Sequence, residues 1–253
     1  MNRKVILILC DGMRPDAMEN LPYVKEFMKK SAYTMKAETV FPSVTLPCHM
    51  SLFLGVPPER HGITTNLYMP PVRPVNGIIE QLKVAKKTSA VFFDWEQLRD
   101  LWRPGNITYS RFEAGHTAEI AAKNTDDAIR YISENSPDFV FLYIGYPDGA
   151  GHDFGWMTDE YMESVRASWE QIARVVEKFE GEYTFIITAD HGGHDRIHGT
   201  EMPEDMIIPF MAMGPDFVPG EIKGQVNIMD ITPTIARLTG VDCADEWEGK
   251  SLI

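Results

Sequence analysis

Short apolar runs recur along the chain and alternate with longer amphipathic segments. Val5–Leu9, Phe139–Ile144 and Tyr183–Thr188 are almost continuously apolar, which is typical of parallel strands that are covered on both faces. Weaker versions of the same pattern predict further strands at Thr88–Phe93, Ile107–Phe112 and Ile208–Met213.

The segments between these runs have helical periodicity. Asp159–Glu180 carries apolar residues at helical spacing, and Thr117–Glu134 reads as a second helix that ends before Pro137. A short helix is predicted over roughly Leu46–Gly55. Strands that alternate with helices indicate a layered α/β domain around a mostly parallel sheet.

Length and loop composition favour one domain over residues 1–253. The less regular region at 67–113 contains the proline-rich run Met69–Pro74 and predicts a small cap or insertion on that domain.

Charge and cysteine content exclude several classes of protein. The formal net charge of −13 disfavours a surface that binds duplex nucleic acid, but bound divalent cations would still allow a small anionic substrate. The three cysteines, Cys10, Cys48 and Cys243, imply no disulfide framework and favour a reducing compartment. The apolar stretch after Lys4 is too short for a signal peptide and no run of about 18 apolar residues exists, so we expect a cytoplasmic protein without a membrane span.

Acidic residues and histidines follow three of the predicted strands. Because parallel strands place ligands beyond their carboxyl ends, Asp11, Asp148 and Asp190 are expected at one edge of the sheet. Each alone would more often be a turn former or a helix cap, but three together would repel one another unless they bind metal ions. The histidines that accompany them are His152, in a glycine-containing turn with Asp148, His191, and either His194 or His198, of which His198 is favoured by its loop position.

Thr45 is the candidate nucleophile among these groups. It lies in a proline-flanked loop at the start of the predicted short helix, where backbone N–H groups can bind an anion. A threonine hydroxyl needs a base or a metal to become nucleophilic, and the simpler interpretation is that Thr45 only caps the helix.

These motifs, in this order, resemble the alkaline phosphatase superfamily, and within it the type I phosphodiesterase/nucleotide pyrophosphatase branch. The matching segments are DG at 11–12, FPSVTLPCH at 41–49, HGITTN at 61–66, YPDGAGH at 146–152, ADHGG at 189–193 and the C-terminal part of the chain. The resemblance implies a three-layer α/β/α sandwich. It also implies two divalent metal ions, Zn²⁺ first and Mn²⁺ second.

The resemblance assigns roles to individual residues. One metal would be held by Asp11, Asp190, His191 and the Thr45 oxygen, and the other by Asp148, His152 and His198. Asn66 would bind a phosphoryl oxygen together with the backbone of the nucleophile. Tyr143 would stack on a nucleobase, although a buried strand tyrosine is an equally good interpretation. Leu46 stands where relatives have an aromatic residue and is a substrate-binding candidate.

The expected activity is hydrolysis of small phosphate esters, with a phosphodiesterase/nucleotide pyrophosphatase reaction through a phosphothreonine intermediate. Asn66 in place of an arginine clamp favours diesters, because a monoester carries one more charge. A phosphomonoesterase, a phosphomutase and a phosphonate hydrolase are alternatives within the superfamily, and a sulfatase fits less well because Thr45 is neither Cys nor Ser. A phosphoryl transferase or a non-catalytic metal-binding domain are alternatives of other kinds.

Overall fold

The computed structural model describes residues 2–253, and one eight-stranded sheet runs through its centre. The strands lie in the spatial order β4-β3-β5-β1-β6-β7-β2-β8. Their bounds are Val5–Cys10 (β1), Ala32–Glu38 (β2), Ser89–Phe93 (β3), Tyr109–Phe112 (β4), Phe139–Ile144 (β5), Thr184–Thr188 (β6), Ile207–Met213 (β7) and Gly220–Glu221 (β8).

The central strand β1 is parallel to both of its neighbours. In this register Cys10 lies opposite Ile144 of β5, and Leu9 lies opposite Thr188 of β6. The three strands therefore end at nearly the same level, and the segments that follow them leave the sheet at one edge.

Helices cover both faces of this sheet. They are α1 (Pro15–Met18), α2 (Pro22–Lys29), α3 (Thr45–Leu54), α4 (Pro58–His61), α5 (Ile78–Val84), α6 (Ala118–Asn135), α7 (Tyr146–Phe154), α8 (Asp159–Phe179), α9 (Pro203–Met206) and α10 (Ile231–Thr239), with two 3₁₀ segments at Glu96–Leu101 and Ile228–Asp230. Helices α1, α2, α6 and α7 contact α8, whereas α3, α4, α5 and α10 contact one another. Every residue of β1 is fully buried between these layers, as its continuous apolar sequence predicts. The predicted three-layer, mostly parallel α/β/α sandwich is confirmed.

Two strands of the sheet were not expected from the pattern. β2 alternates buried and partly exposed residues and includes the exposed Lys36, so its sequence is less apolar than that of a central strand. β8 has only two residues. Strand β7 was expected, but it runs antiparallel to both β6 and β2, a direction that its composition does not reveal.

The region at 67–113 contributes to the sheet itself. It contains α5, β3 and β4, and the parallel pairing of β3 with β4 and β5 forms one edge of the sheet. The loops around these elements are the part of the region that remains outside the sheet. Within residues 2–253, no helix is both long and apolar enough to cross a membrane.

Candidate metal and phosphoryl-transfer site

The segments that follow β1, β5 and β6 meet at one edge of the sheet. The Asp11 N–H donates to the carbonyl of Ile144 at the end of β5, at 3.0 Å. The next amide, Gly12 N–H, donates to Asp190 Oδ1 in the segment after β6, at 3.2 Å. Backbone hydrogen bonds thus connect the three segments that carry the predicted acidic residues.

Asp148 and His152 lie on a helix, which differs from the predicted turn. Helix α7 runs over Tyr146–Phe154 with Pro147 in its first turn, and it includes two glycines. A spacing of four residues places both side chains on the same face of that helix. His152 Nε2 lies 3.5 Å from Asp148 Oδ1.

The three predicted histidine ligands share one hydrogen-bonding pattern. In each ring, Nδ1 lies within hydrogen-bond distance of a backbone carbonyl: Gly192 at 2.8 Å for His191, Ser43 at 2.9 Å for His198 and Arg196 at 3.0 Å for His152. A carbonyl can only accept, so each Nδ1 carries a proton, and in the neutral form of each ring the lone pair is on Nε2. This is the arrangement in which histidines ligate metals through Nε2.

These side chains form two groups. The inner group is Asp11, Asp190, His191 and Thr45, and the outer group is Asp148, His152 and His198. His191 Nε2 lies 3.2 Å from Asp11 Oδ1, 3.4 Å from Asp190 Oδ2 and 3.1 Å from Thr45 Oγ1.

Asp148 lies between the two groups. One set of ligand atoms with metal-binding spacing consists of Asp148, His152 and His198, and a second consists of Asp11, Asp148 and His191. The rings of His191 and His198 are stacked with centroids 3.8 Å apart, so the two groups adjoin. The spacing is compatible with two neighbouring cation positions that adjoin at Asp148.

The carboxylates of this cluster need a positive partner. Within residues 2–253, Asp11 Oδ1, Asp148 Oδ1 and Asp190 Oδ2 are buried without a hydrogen-bond donor. Burial, and then the charges of Asp190 and Asp148, raise the pKa of Asp11 well above its usual value. Burial together with the adjacent His191 lowers the pKa of His198 to about 4, so this ring is neutral at pH 7. Orphaned buried oxygens beside neutral imidazoles fit divalent cations well.

Thr45 is the first residue of α3 and faces the inner group. The residue is 4 % exposed and lines the same cavity as Asp11 and Asp148. Asn66, in an exposed turn, accepts the Leu46 N–H through Oδ1 at 2.9 Å. Because that oxygen is the acceptor, the amide NH₂ of Asn66 is the free donor, on a residue that also lines the cavity.

Two predicted substrate-binding side chains are buried. Leu46 is part of the hydrophobic core, fully buried, and does not line the cavity, so only its backbone reaches the site. The Tyr143 ring is also fully buried, and its hydroxyl donates to Asp11 Oδ2. Unlike Leu46, Tyr143 borders the cavity, so its stacking role stays a prediction, and its hydroxyl contacts a metal-ligand candidate.

Sequence reasoning missed Trp156, which supports both groups. A Cβ atom at Gly193 would lie 2.2 Å from its ring, and one at Gly151 would lie 2.6 Å away. The indole Nε1 donates to the Gly12 carbonyl at 2.9 Å. The ring of His152 packs against it at 5.2 Å. The signal in the sequence was the glycine in each acidic segment, because only glycine lets the backbone lie this close to the ring.

His194 belongs to a supporting network. Its Nδ1 lies 2.7 Å from Oδ1 of the fully buried Asp205, whose other oxygen accepts from the N–H and hydroxyl of Thr200. A backbone pair joins His194 to Ile197, just before His198. The structure therefore places His198 in the outer group and His194 outside it.

The two groups open into a cavity of about 630 Å³. The other residues that line it include Trp95, Gly115, His116, Thr117 and Asn66. A cavity of about 820 Å³ at the opposite edge of the sheet is lined by Arg3 and Lys30, which pair with Asp216 and Glu180. The first cavity is the one that contains the ligand cluster.

The type I phosphodiesterase/nucleotide pyrophosphatase family model matches residues 5–203 of the chain. The chain belongs to this family. The matched range contains every residue of the two groups.

Individual relatives are more distant. A 2,3-bisphosphoglycerate-independent phosphoglycerate mutase of Natronomonas pharaonis is 30% identical over 64% of this chain and 32% of its own length. A bis(5'-adenosyl)-triphosphatase of Mus musculus is 26% identical over 97% of this chain and 56% of its own. The chain thus spans between a third and just over half of the length of these curated relatives.

Solved structures share the fold at low identity. Murine ectonucleotide pyrophosphatase/phosphodiesterase 5 in complex with AMP has a TM-score of 0.81 at 16% identity, covering 96% of both chains. The phosphonate monoester hydrolase of Agrobacterium radiobacter has a TM-score of 0.76 at 13% identity, covering 99% of this chain and 76% of its own.

Proposed function

We propose that this chain hydrolyses phosphodiesters with Thr45 as the nucleophile and a phosphothreonine intermediate. The observation that carries the proposal is the position of the Thr45 hydroxyl. It lies at the N-terminus of α3, 3.1 Å from His191 Nε2, on a residue that lines the cavity. Beside it are three carboxylates that each have one buried oxygen without a hydrogen-bond donor within residues 2–253.

The first step would transfer the phosphoryl group to the protein. The Thr45 oxygen attacks phosphorus, the P–Oγ bond forms, and the bond between phosphorus and the departing oxygen breaks. The proton lost from the Thr45 hydroxyl is taken up by the departing oxygen or by solvent. Water then attacks the same phosphorus and releases Thr45, so the nucleophile is regenerated. Bound divalent cations would lower the proton affinity of the Thr45 hydroxyl and stabilise the departing oxygen.

The side chains of this chain would hold the substrate during both steps. The amide NH₂ of Asn66 would donate to a non-bridging phosphoryl oxygen, because its own oxygen is committed to the Leu46 N–H. The Tyr143 hydroxyl would keep Asp11 in its orientation. Donors fixed before the reaction stabilise the charge that develops in the transition state.

Charge balance favours a diester over a monoester. Two divalent cations and the three carboxylates of Asp11, Asp148 and Asp190 leave one net positive charge, which matches the single charge of a phosphodiester. A monoester dianion would need another cation, and among residues 2–253 no lysine or arginine lines the cavity. The mixed Asp and His ligand set suits Zn²⁺ first and Mn²⁺ second.

The test is turnover by a Thr45→Val variant, which keeps the shape of the side chain and removes the hydroxyl. We expect Thr45→Val to lose roughly 10³-fold or more of bis-p-nitrophenyl phosphate hydrolysis while binding the same amount of zinc. Thr64→Val, on an exposed residue of the neighbouring loop, is the matched control and should behave as wild type.

Three outcomes would change the proposal. Near wild-type turnover by Thr45→Val would replace the covalent mechanism with attack by a metal-bound hydroxide. Faster hydrolysis of p-nitrophenyl phosphate or phosphonoacetate than of the diester would move the activity to a neighbouring reaction class. A zinc-loaded protein that hydrolyses none of these compounds would contradict the proposal.

A further inference from the structure

Beyond the metal-ligand groups, the cavity is lined by a negatively charged side chain and, within the described part of the chain, by no positively charged one. Its lining includes the exposed carboxylate of Asp153 next to His152, and no lysine or arginine of residues 2–253 contributes to it. A second phosphate group bound there would meet the Asp153 carboxylate, with no cationic side chain among the described lining residues to offset it. Juxtaposed like charges disfavour a bound ligand strongly.

His116 is held in the wall of this cavity by close contacts with α7 and the residue before it. A Cβ atom at Gly149 would lie 2.7 Å from His116 Cβ, and one at Gly145 would lie 2.9 Å from His116 Cδ2. These two glycines flank Asp148 in the sequence, so His116 stands beside the outer group.

The buried Asp94 contacts both Gly145 and His116. It is 3 % exposed, and its Oδ2 accepts the Gly145 N–H at 3.1 Å. Its Oδ1 has no hydrogen-bond donor within residues 2–253 and lies 3.8 Å from His116 Nε2. The imidazole therefore has a buried carboxylate beside one edge.

Trp95 completes the wall with a second, larger ring. It is partly exposed and lines the cavity together with His116 and Thr117. A cavity of about 630 Å³ has room for a ring-bearing ligand. Aromatic side chains stack on flat ligand rings and give affinity without needing charge.

We propose that the Trp95–His116 wall selects phosphodiesters that carry an uncharged aromatic or heteroaromatic group, and that it disfavours substrates with further phosphates, such as nucleoside triphosphates. This selectivity rests on the proposed function. It favours hydrolysis of phosphodiesters over cleavage of the pyrophosphate bonds of nucleotides. Trp95 and His116 would contact the substrate, and Asp94 would act as a positioning residue for His116.

The first experiment compares substrates that share a leaving group. Bis-p-nitrophenyl phosphate and methyl p-nitrophenyl phosphate release the same phenol, so they differ only in the group that stays on phosphorus. We expect wild type to prefer the aryl diester, and Trp95→Ala to reduce that preference roughly tenfold, mainly through KM. His116→Ala should act in the same direction, with partial recovery in His116→Gln and a smaller loss in Asp94→Asn.

The second experiment introduces a positively charged side chain into the cavity. Wild type should hydrolyse the p-nitrophenyl ester of thymidine 5'-monophosphate far better than ATP. Asp153→Lys should narrow this gap by about tenfold, because it replaces a like charge with an opposite one. Asp159→Lys makes the same change on an exposed residue that does not line the cavity, and it should leave the ratio unchanged. Arg196→Gln tests whether this exposed arginine assists a polyphosphate.

Several results would overturn the inference. These are comparable rates on ATP and the thymidine ester, aryl preference unchanged in Trp95→Ala and His116→Ala, or ATP turnover that depends on Arg196. If the protein hydrolyses none of the compounds, the proposed function fails, and calorimetry with zinc-loaded Thr45→Val still tests the cavity. Tighter binding of the phenyl ester of thymidine 5'-monophosphate than of ATP, weakened by Trp95→Ala, would uphold the selectivity. Equal binding would refute it.

Discussion

The inner and outer groups of the site differ in how they are built, and only the outer group has a member that is well exposed to solvent. Asp11 and His191 follow adjacent parallel strands and are 1 % and 0 % exposed. His152, in contrast, lies on α7 and its side chain is 44 % exposed. The inner group is thus fixed by the sheet, whereas the outer group depends on a short helix and on the loop that carries His198.

This difference implies that the two proposed cations would be bound with unequal strength. A buried ligand set is shielded from water and cannot relax far, because packed strands surround it. A partly exposed ligand can rotate away and let a cation exchange with solvent. The outer position is therefore expected to be the labile one.

The largest effect should come from replacing one ligand in each group. His191→Gln should lower turnover by on the order of 10³-fold and His152→Gln by roughly 10–100-fold, because the buried position has no solvent to replace the lost ligand. Activity and zinc content would be measured on the same samples during timed dialysis against a chelator. Equal losses in both variants, or loss of the inner cation first, would contradict the comparison.

Replacement of Trp156, which contacts segments of both groups, should weaken zinc binding by both. Trp156→Phe removes the indole N–H bonded to the Gly12 carbonyl and part of the surface on which Gly151 and Gly193 pack. We expect turnover and zinc affinity to fall by roughly 10–100-fold, as for other groups that orient metal ligands. Trp102→Phe, which changes a core indole packed on Phe53 and Phe93, is the control and should affect stability rather than zinc affinity. Loss of only one cation in Trp156→Phe would show that the support is not shared.

Tyr143→Phe should reduce turnover less than these substitutions and should affect only the inner group. Tyr143→Phe removes the hydroxyl that donates to Asp11 and leaves the packing of the ring unchanged. Turnover should fall about tenfold, with the outer cation retained. Tyr183→Phe removes a comparable hydroxyl, bonded to the Pro137 carbonyl, and should keep full activity. An unchanged rate in Tyr143→Phe would remove the positioning role.

An effect on stability rather than on turnover is expected at His61, whose hydrogen bonds are the reverse of those of the ligand histidines. Its Nδ1 accepts the Ile63 N–H at 3.1 Å, so Nε2 carries the proton and donates to Ser51 Oγ at 3.0 Å. Burial lowers the pKa of His61 to about 4 from the ordinary 6.5. The neutral ring therefore contributes stability that is complete above pH 6.5 and is lost as the pH falls towards 4.

The loss would be about 3 kcal/mol of unfolding free energy across that range. Denaturant unfolding of the metal-free protein at pH 7, 5.5 and 4 would measure it. The same series with His61→Gln should show a shallower decline in this window. Parallel curves for the two proteins would indicate that another group controls the acid sensitivity.

Much of the fold followed from local patterns. The runs at Val5–Leu9 and Phe139–Ile144 are apolar on both faces, and only strands at the centre of a layered domain need that composition. The antiparallel direction of β7 and the short strand β8 did not follow, because pairing partners are chosen by contacts far apart in sequence.

For the site as well, some features follow from the sequence and others only from the tertiary structure. The sequence by itself determined that carboxylates and histidines follow three parallel strands, and this requires them to collect at one edge of the sheet. Only the tertiary structure decided the tautomer of each histidine, the helix that aligns Asp148 with His152, and the burial of Tyr143 against Asp11. Those features depend on carbonyls and side chains brought together from distant segments, and no local spacing specifies such contacts.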